Sequence, residues 1–149
     1  MEITILSRDD LDNGFLESLE SLRPTGLNSL QALAVYHKLT TRPYVYVAKN
    51  GDQVIGAATL LVEQKFIHQG GKVGHIEDVA VHKDHQGKKV GQKLVERMLE
   101  DAKKLQCYKV ILDCDPSLVG FYEKSGFRQS AVQMRIDLEV VEPNTTDPV

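Results

Sequence analysis

Apolar positions along the chain follow two rhythms, and the switches between them outline the elements. Glu2 to Leu6 reads as a short strand. From Asp10 to Leu22, residues Leu11, Phe15, Leu16, Leu19 and Leu22 recur at three- and four-residue steps, which predicts an amphipathic helix ended by Pro24-Thr25-Gly26. Asn28 is placed to N-cap a second helix through Leu39, with Leu30, Leu33, Ala34 and His37 as its buried face. Pro43 opens a strand, Tyr44 to Ala48. Asn50-Gly51 predicts a hairpin turn, since both positions tolerate positive φ, and the return strand runs from Gln53 to Glu63. Gly70-Gly71 marks a loop before a strand from His75 to Val81. Val90, Leu94, Val95, Met98, Leu99, Ala102 and Leu105 then form one helical stripe. Tyr108 to Cys114 is a nearly unbroken apolar run, which predicts a central strand covered on both faces. Asp115-Pro116 and Gly126 bracket a short helix. Val132, Met134 and Ile136 alternate with Gln133, Arg135 and Asp137 in a last strand, and the tail from Glu139 reads as frayed.

This order predicts a mixed α/β domain over residues 1–138, with 139–149 as a tail. A chain of 149 residues buries a core without staples, and 42% hydrophobic with 26% charged residues argues against disorder. The net charge of -3 offers no bulk attraction to nucleic acid or an anionic membrane. Any phosphate site must therefore be local. Cys107 and Cys114, seven strand positions apart at about 3.3 Å each, are too far apart for a disulfide and match no zinc spacing. Reduced thiols, no basic-apolar leader and no apolar run of membrane length make a cytoplasmic protein the expectation, bound to neither membrane nor nucleic acid. Without an export signal the sequon Asn144-Thr145-Thr146 carries no weight.

Two segments carry chemistry. Gln86-Gly87-Lys88-Lys89-Val90-Gly91 lies between a strand and a helix start, where backbone N–H groups and two lysines suit a pyrophosphate. By itself such a loop also fits a solvated helix start. Glu77 and Asp78 are adjacent acids that an unbroken strand would send to opposite faces, so that one of them meets something other than bulk water. His82 and His85 read as loop residues, and no carboxylate or cysteine partner completes a metal site.

Ile76-Glu77-Asp78-Val79-Ala80-Val81, the loop that follows it and Phe121-Tyr122-Glu123-Lys124-Ser125-Gly126-Phe127 together resemble the GCN5-related N-acetyltransferase superfamily. Gln86 and Gly91 match the ends of its pyrophosphate loop, Gln/Arg-x-x-Gly-x-Gly/Ala, while Lys89 stands where the inner glycine is usual. Lys65-Phe66-Ile67-His68, Gly74 to Val81, Cys107 to Cys114 and Gly120 to Lys124 sharpen the resemblance to the eukaryotic glucosamine 6-phosphate N-acetyltransferases, over a block from Lys65 to Phe127.

The resemblance implies a central mixed, mostly antiparallel sheet flanked by helices, with splayed strands forming a cleft for acetyl-CoA and no metal. It assigns the cofactor to Val79, Ala80, Val81, Gln86, Gly87, Lys88, Lys89, Val90, Gly91, Gln92, Cys114, Asp115 and Tyr122. The backbone N–H near Val79 would face the acetyl carbonyl, and Tyr122 the CoA sulfur. Cys114 is read as strand packing and transfer as direct. Asp113 would orient the acceptor amine through its carbonyl, and Glu77 and Asp78 would bind sugar hydroxyls or relay a proton. Lys65, Phe66, Ile67 and His68 form the sugar-phosphate segment, and a homodimer would bring Tyr108 and Lys109 across from the second subunit. Where this chain has Asp137 the family has arginine, so Arg135 becomes a candidate phosphate ligand, and Arg23 becomes another because the family is threonine-rich near Arg23-Pro24-Thr25. Two alternatives keep the fold: another amine (a protein N-terminus, lysine or polyamine) as acceptor, or an acyl-CoA-binding module without catalysis.

Overall fold

The computed structural model describes residues 1–38 and 43–140. One five-stranded sheet has the order β1-β2-β3-β4-β5: β1 (Glu2–Ile5), β2 (Tyr44–Asn50), β3 (Gln53–Gln64), β4 (Lys72–Val81) and β5 (Cys107–Ile111). The first four strands pair antiparallel and β4 pairs parallel with β5. A parallel return requires a crossover, which is helix α4 (Val90–Lys104). Its predicted stripe is the one that packs: Val90, Leu94, Val95, Met98 and Ala102 are buried against Tyr46, Ala58, Leu60 and Ile76 of the sheet. Arg97 and Asp101 fasten it further. Tyr46 Oη donates to Asp101 Oδ2 at 2.8 Å, and Arg97 reaches both Asp101 and the carbonyl of Ile3.

The opposite face of the sheet is covered at one end only, by α1 (Phe15–Glu20) and α2 (Ser29–Lys38) over Leu6, Leu11, Val47 and Val54. The helix predicted from Asp10 to Leu22 is instead a 3₁₀ turn, Arg8–Asp12, followed by α1, because Gly14 breaks the run at φ +97°. Asn28 caps α2 as expected: its Oδ1 accepts from Gln31 N, and Gln31 Oε1 accepts from Asn28 N, each at 2.9 Å. The buried face of α2 differs from expectation. Ala32 is buried and Leu33 and Tyr36 are partly buried, whereas Leu30 is 79% exposed and Ala34 and His37 face outward. The sheet lies one helical step round from where periodicity alone placed it. The end of that helix at Leu39 lies outside the described residues, as does the tail beyond residue 140. The hairpin turn falls on Gly51-Asp52, one residue later than predicted, since Asn50 still pairs with Gln53.

Two larger corrections concern the far edge. Strand β5 is not central within one chain. It is the last strand of the sheet, and Tyr108, Lys109 and Ile111 are exposed. The predicted last strand finds no partner: residues 128–140 form no helix or ladder, and Val132, Met134, Ile136 and Leu138 are all exposed. The alternation in this arm was legible, but among the described residues it pairs with no strand.

Candidate active site

The ladder between β4 and β5 ends early. Lys72, Val73, Gly74 and His75 pair with residues Cys107 to Ile111, and beyond His75 the two strands have no further ladder partners. A bulge in β4 marks the parting. Two steps along β3, from Ala57 to Thr59, match three along β4, from Ala80 to Glu77, and the extra residue turns through Asp78 at φ +53°. The result is an open notch between Glu77–Val81 on one side and Leu112–Asp115 on the other.

That bulge overturns the expectation that Glu77 and Asp78 point to opposite faces. Asp78 lines a cavity of about 180 Å³ together with Thr59, the cross-strand partner of Glu77, beneath Phe15, Leu19 and Tyr36. Both acids thus serve one side of the sheet. Although Glu77 opens to solvent, partial burial of its carboxyl raises its pKa, and the negative charges of Asp78 and Asp113 raise it further, against a smaller opposing effect of His75. Three carboxylates therefore share the notch, and one of them is shifted towards holding a proton.

Tyr122 closes the other wall. It is only 8% exposed, held edge-on by Phe121 and Phe127 at centroid distances of 4.9 and 6.0 Å. Burial raises the pKa of the phenol, with a smaller contribution from Cys114. Its ring sits on α5 (Val119–Glu123), which begins after a 3₁₀ turn, Pro116–Leu118, capped by Asp115 accepting from Ser117 N at 2.9 Å. Cys114 is exposed beyond the end of β5 rather than packed within a strand, because the ladder stops at Ile111.

The predicted phosphate loop leads from β4 into α4 through a 3₁₀ turn, Lys83–His85. Gln86 Nε2 reaches back to the carbonyl of Val81 at 3.2 Å, which curls the loop over the strand end. Gly87 lies at φ +78° with open space where a Cβ would be, and Lys89, the N-cap of α4, lies at φ +63°. That left-handed residue is where the superfamily pattern has glycine, and the conformation explains the preference. Lys88 and Lys89 are exposed, while Ala80 and Val90 are buried and Val79 and Val81 half-buried. Gln92 is engaged with Glu96 at 3.0 Å. A Cβ on Gly91 would meet the Phe121 ring at 3.3 Å, so the loop and the Tyr122 helix are braced against each other. The shape suits an extended thioester whose diphosphate rests at the start of α4.

The cations predicted for the sugar phosphate lie elsewhere. His68 stacks on Tyr108 with ring centroids 4.1 Å apart, Lys109 Nζ lies 5.7 Å from the Tyr108 centroid, and a Cβ on Gly71 would strike that ring. Lys65 pairs with Glu63 at 3.1 Å, and the same carboxylate holds His75 at 2.9 Å. The pKa of Glu63 is lowered, chiefly by the hydrogen bond to His75 and then by Lys65. Phe66 and Ile67 are exposed on the turn α3 (Ile67–Gly70), in which His68 and Gln69 are left-handed. Because Lys109 pairs with Val73, this cluster sits four residues, about 13 Å, along β4 from Glu77. Arg23 donates to the carbonyl of Leu22, and Arg135 is paired with Asp137 at 2.7 Å; among the described residues no contact ties either to the two clusters. Glu63, His75 and Gln133 were not singled out from the sequence. The strand register alone aligns the first two, since Leu61 and Glu63 face His75 and Val73. Among the described residues no group of three His, Cys, Asp or Glu side chains could hold a metal ion.

Comparison with known proteins identifies the family and the fold. The model of the Acetyltransferase (GNAT) family matches residues 9–127. A glucosamine 6-phosphate N-acetyltransferase from Candida albicans is 42% identical, over 87% of this chain and 90% of its own. The chain belongs to the glucosamine 6-phosphate N-acetyltransferases of the GNAT family. The crystal structure of the family's Arabidopsis thaliana member superposes with a TM-score of 0.85 at 31% identity, over 93% of this chain and 98% of that one. A predicted acetyltransferase from Clostridium acetobutylicum, crystallised with acetyl-CoA, shares the fold alone, at 15% identity and a TM-score of 0.69 over 91% and 95% of the two chains. GNAT acetyltransferases use acetyl-CoA. No described helix is long and apolar enough to cross a membrane.

Proposed function

We propose that this protein transfers the acetyl group of acetyl-CoA to the amine of D-glucosamine 6-phosphate, giving N-acetyl-D-glucosamine 6-phosphate and CoA by direct attack in a ternary complex. The observation that carries this reading is the parting of β4 from β5 at a bulge flanked by Glu77, Asp78 and Asp113, with a buried phenol opposite. Acetyl-CoA supplies an activated acyl group. The residues divide the remaining work. Gly87, Lys88, Lys89 and the first N–H groups of α4 hold the diphosphate. The Val79 N–H meets the charge that grows on the acetyl oxygen as nitrogen bonds to the carbonyl carbon. The Asp113 carbonyl aims the amine, and Glu77 takes its proton through water. As the C–S bond breaks, Tyr122 gives its proton to the sulfur. This reading assigns the protein to amino-sugar metabolism leading to UDP-N-acetylglucosamine, and the cytoplasm is proposed as its compartment.

The acceptor decides between this reading and other amines on the same fold. Glucosamine 6-phosphate is expected to release CoA at least about tenfold faster than glucosamine, as a charge-assisted phosphate contact would give. Equal rates would remove the sugar-phosphate reading, and no thiol release with any amine would favour a binding module.

We further propose a homodimer in which each arm, residues 128–140, adds to the free edge of the partner's β5. Three features support it. The apolar residues that alternate along the arm are exposed, among the described residues the outer edge of β5 has no ladder partner, and the cation cluster lies too far from the carboxylates of its own chain to grip the same small sugar. Tyr108, Lys109, His68 and Lys65 would then serve the partner's notch, each subunit completing the other. In sedimentation, the wild type is expected to run as a dimer and Met134→Asp/Ile136→Asp as a monomer with turnover at least about tenfold lower. A fully active monomer would refute the shared site.

A further inference from the structure

We infer that Gln133 is a positioning residue for the acceptor side of the reaction, acting through Asp113. The inference rests on the proposed acetylation of glucosamine 6-phosphate. Asp113 lies beyond the last rung between β4 and β5, so no ladder neighbour steadies it. Among the described residues its carboxylate has one hydrogen-bond partner, Gln133, whose Nε2 donates to Oδ2 at 3.2 Å. A carboxylate only accepts, so the amide must present its N–H side here. The arm thus touches the rim of the notch from a residue twenty positions downstream of Asp113.

The chemistry of the pair explains why an amide suits this position. The acceptor carries an amine that is partly protonated near neutral pH, and the notch receives it with Glu77, Asp78 and Asp113. A lysine or arginine at 133 would neutralise one of the three charges. A glutamate would set a fourth carboxylate against them. Glutamine steadies Asp113 and leaves its charge available. The next cation on the arm, Arg135, is held by Asp137 at 2.7 Å and does not compete for Asp113. The residue that stands where the family has arginine thereby has a role in this chain: it occupies Arg135 within the arm.

Reversing the polarity of the hydrogen bond tests the inference. Gln133→Glu keeps size and shape, removes the donor and places two carboxylates face to face. It is expected to lower kcat/KM for glucosamine 6-phosphate about tenfold, with the acetyl-CoA KM within about twofold of wild type. Gln133→Met keeps the length of the side chain and removes the donor without adding a charge, and it is expected to lower the same ratio about threefold, with the acetyl-CoA KM again within about twofold of wild type. Gln133→Glu without effect, a loss shared equally by the acetyl-CoA KM, or a Gln133→Met variant as impaired as Gln133→Glu would each overturn the role. A wild-type enzyme that does not discriminate glucosamine 6-phosphate from glucosamine would instead remove the underlying acceptor reading, so the two failures are distinguishable.

Discussion

Tyr122→Phe is expected to lower kcat by about two orders of magnitude while leaving the acetyl-CoA KM within about twofold. The ring itself is anchored by Phe121 and Phe127 on either side, so phenylalanine should keep the wall of the notch and remove only the hydroxyl. That hydroxyl has no hydrogen-bond partner among the described residues, so its loss strands no donor or acceptor of the fold. A departing thiolate is stabilised by a proton or a strong donor, and in the proposed mechanism the phenol supplies it. Burial raises its pKa, so it remains protonated through the neutral and mildly alkaline range, the state a donor needs. Steady-state kinetics with acetyl-CoA varied at saturating acceptor would check this. A rise in the acetyl-CoA KM with kcat preserved would mean that Tyr122 binds the thioester and does not serve the leaving group.

The second large effect belongs to the carboxylates. Glu77→Gln is expected to lower kcat/KM for the acceptor by about two orders of magnitude and to abolish the acid limb of its pH profile. Only the ionised carboxylate can accept a proton, so activity should fall as pH drops through the Glu77 pKa. Because burial and the charges of Asp78 and Asp113 raise that pKa, the fall should begin at a higher pH than for an ordinary glutamate. Asp78→Asn removes one of the opposing charges and leaves burial unchanged. It should therefore move the acid limb to lower pH. Profiles of kcat/KM for the two variants, with the enzyme's fold checked by circular dichroism at each pH, would test the sign. An unmoved limb in Asp78→Asn would mean that another group sets it.

Local order was legible in the sequence to a large extent. The stripe of α4, the capping of α2 by Asn28, the strand–loop–helix–strand crossover and the glycine-and-lysine loop depend on residues near one another in the chain, where periodicity and capping chemistry act directly. Lys89 was legible as a departure from the loop pattern, but its left-handed backbone was not, and only the structure displays it.

Other features depended on what the rest of the chain brings alongside. Periodicity identifies an apolar stripe on α2 but not which edge of it the sheet will meet, so Leu30 and Ala34 came out exposed and Ala32 buried. An alternating pattern states that Val132 to Ile136 can pair, not with which strand, and among the described residues neither this arm nor the outer edge of β5 has a ladder partner. The bulge at Asp78 left no mark that two adjacent acids would reveal, yet it reverses one side chain and gathers three carboxylates. By itself, then, the sequence determined the elements, their order and the family chemistry, because these follow from covalent neighbours and short-range backbone preference. Tertiary structure alone decided which acids share the notch, that the cations stand about 13 Å from them and that Gln133 reaches Asp113. Each of these is a contact between segments distant in the chain, set by strand register and by where a ladder stops.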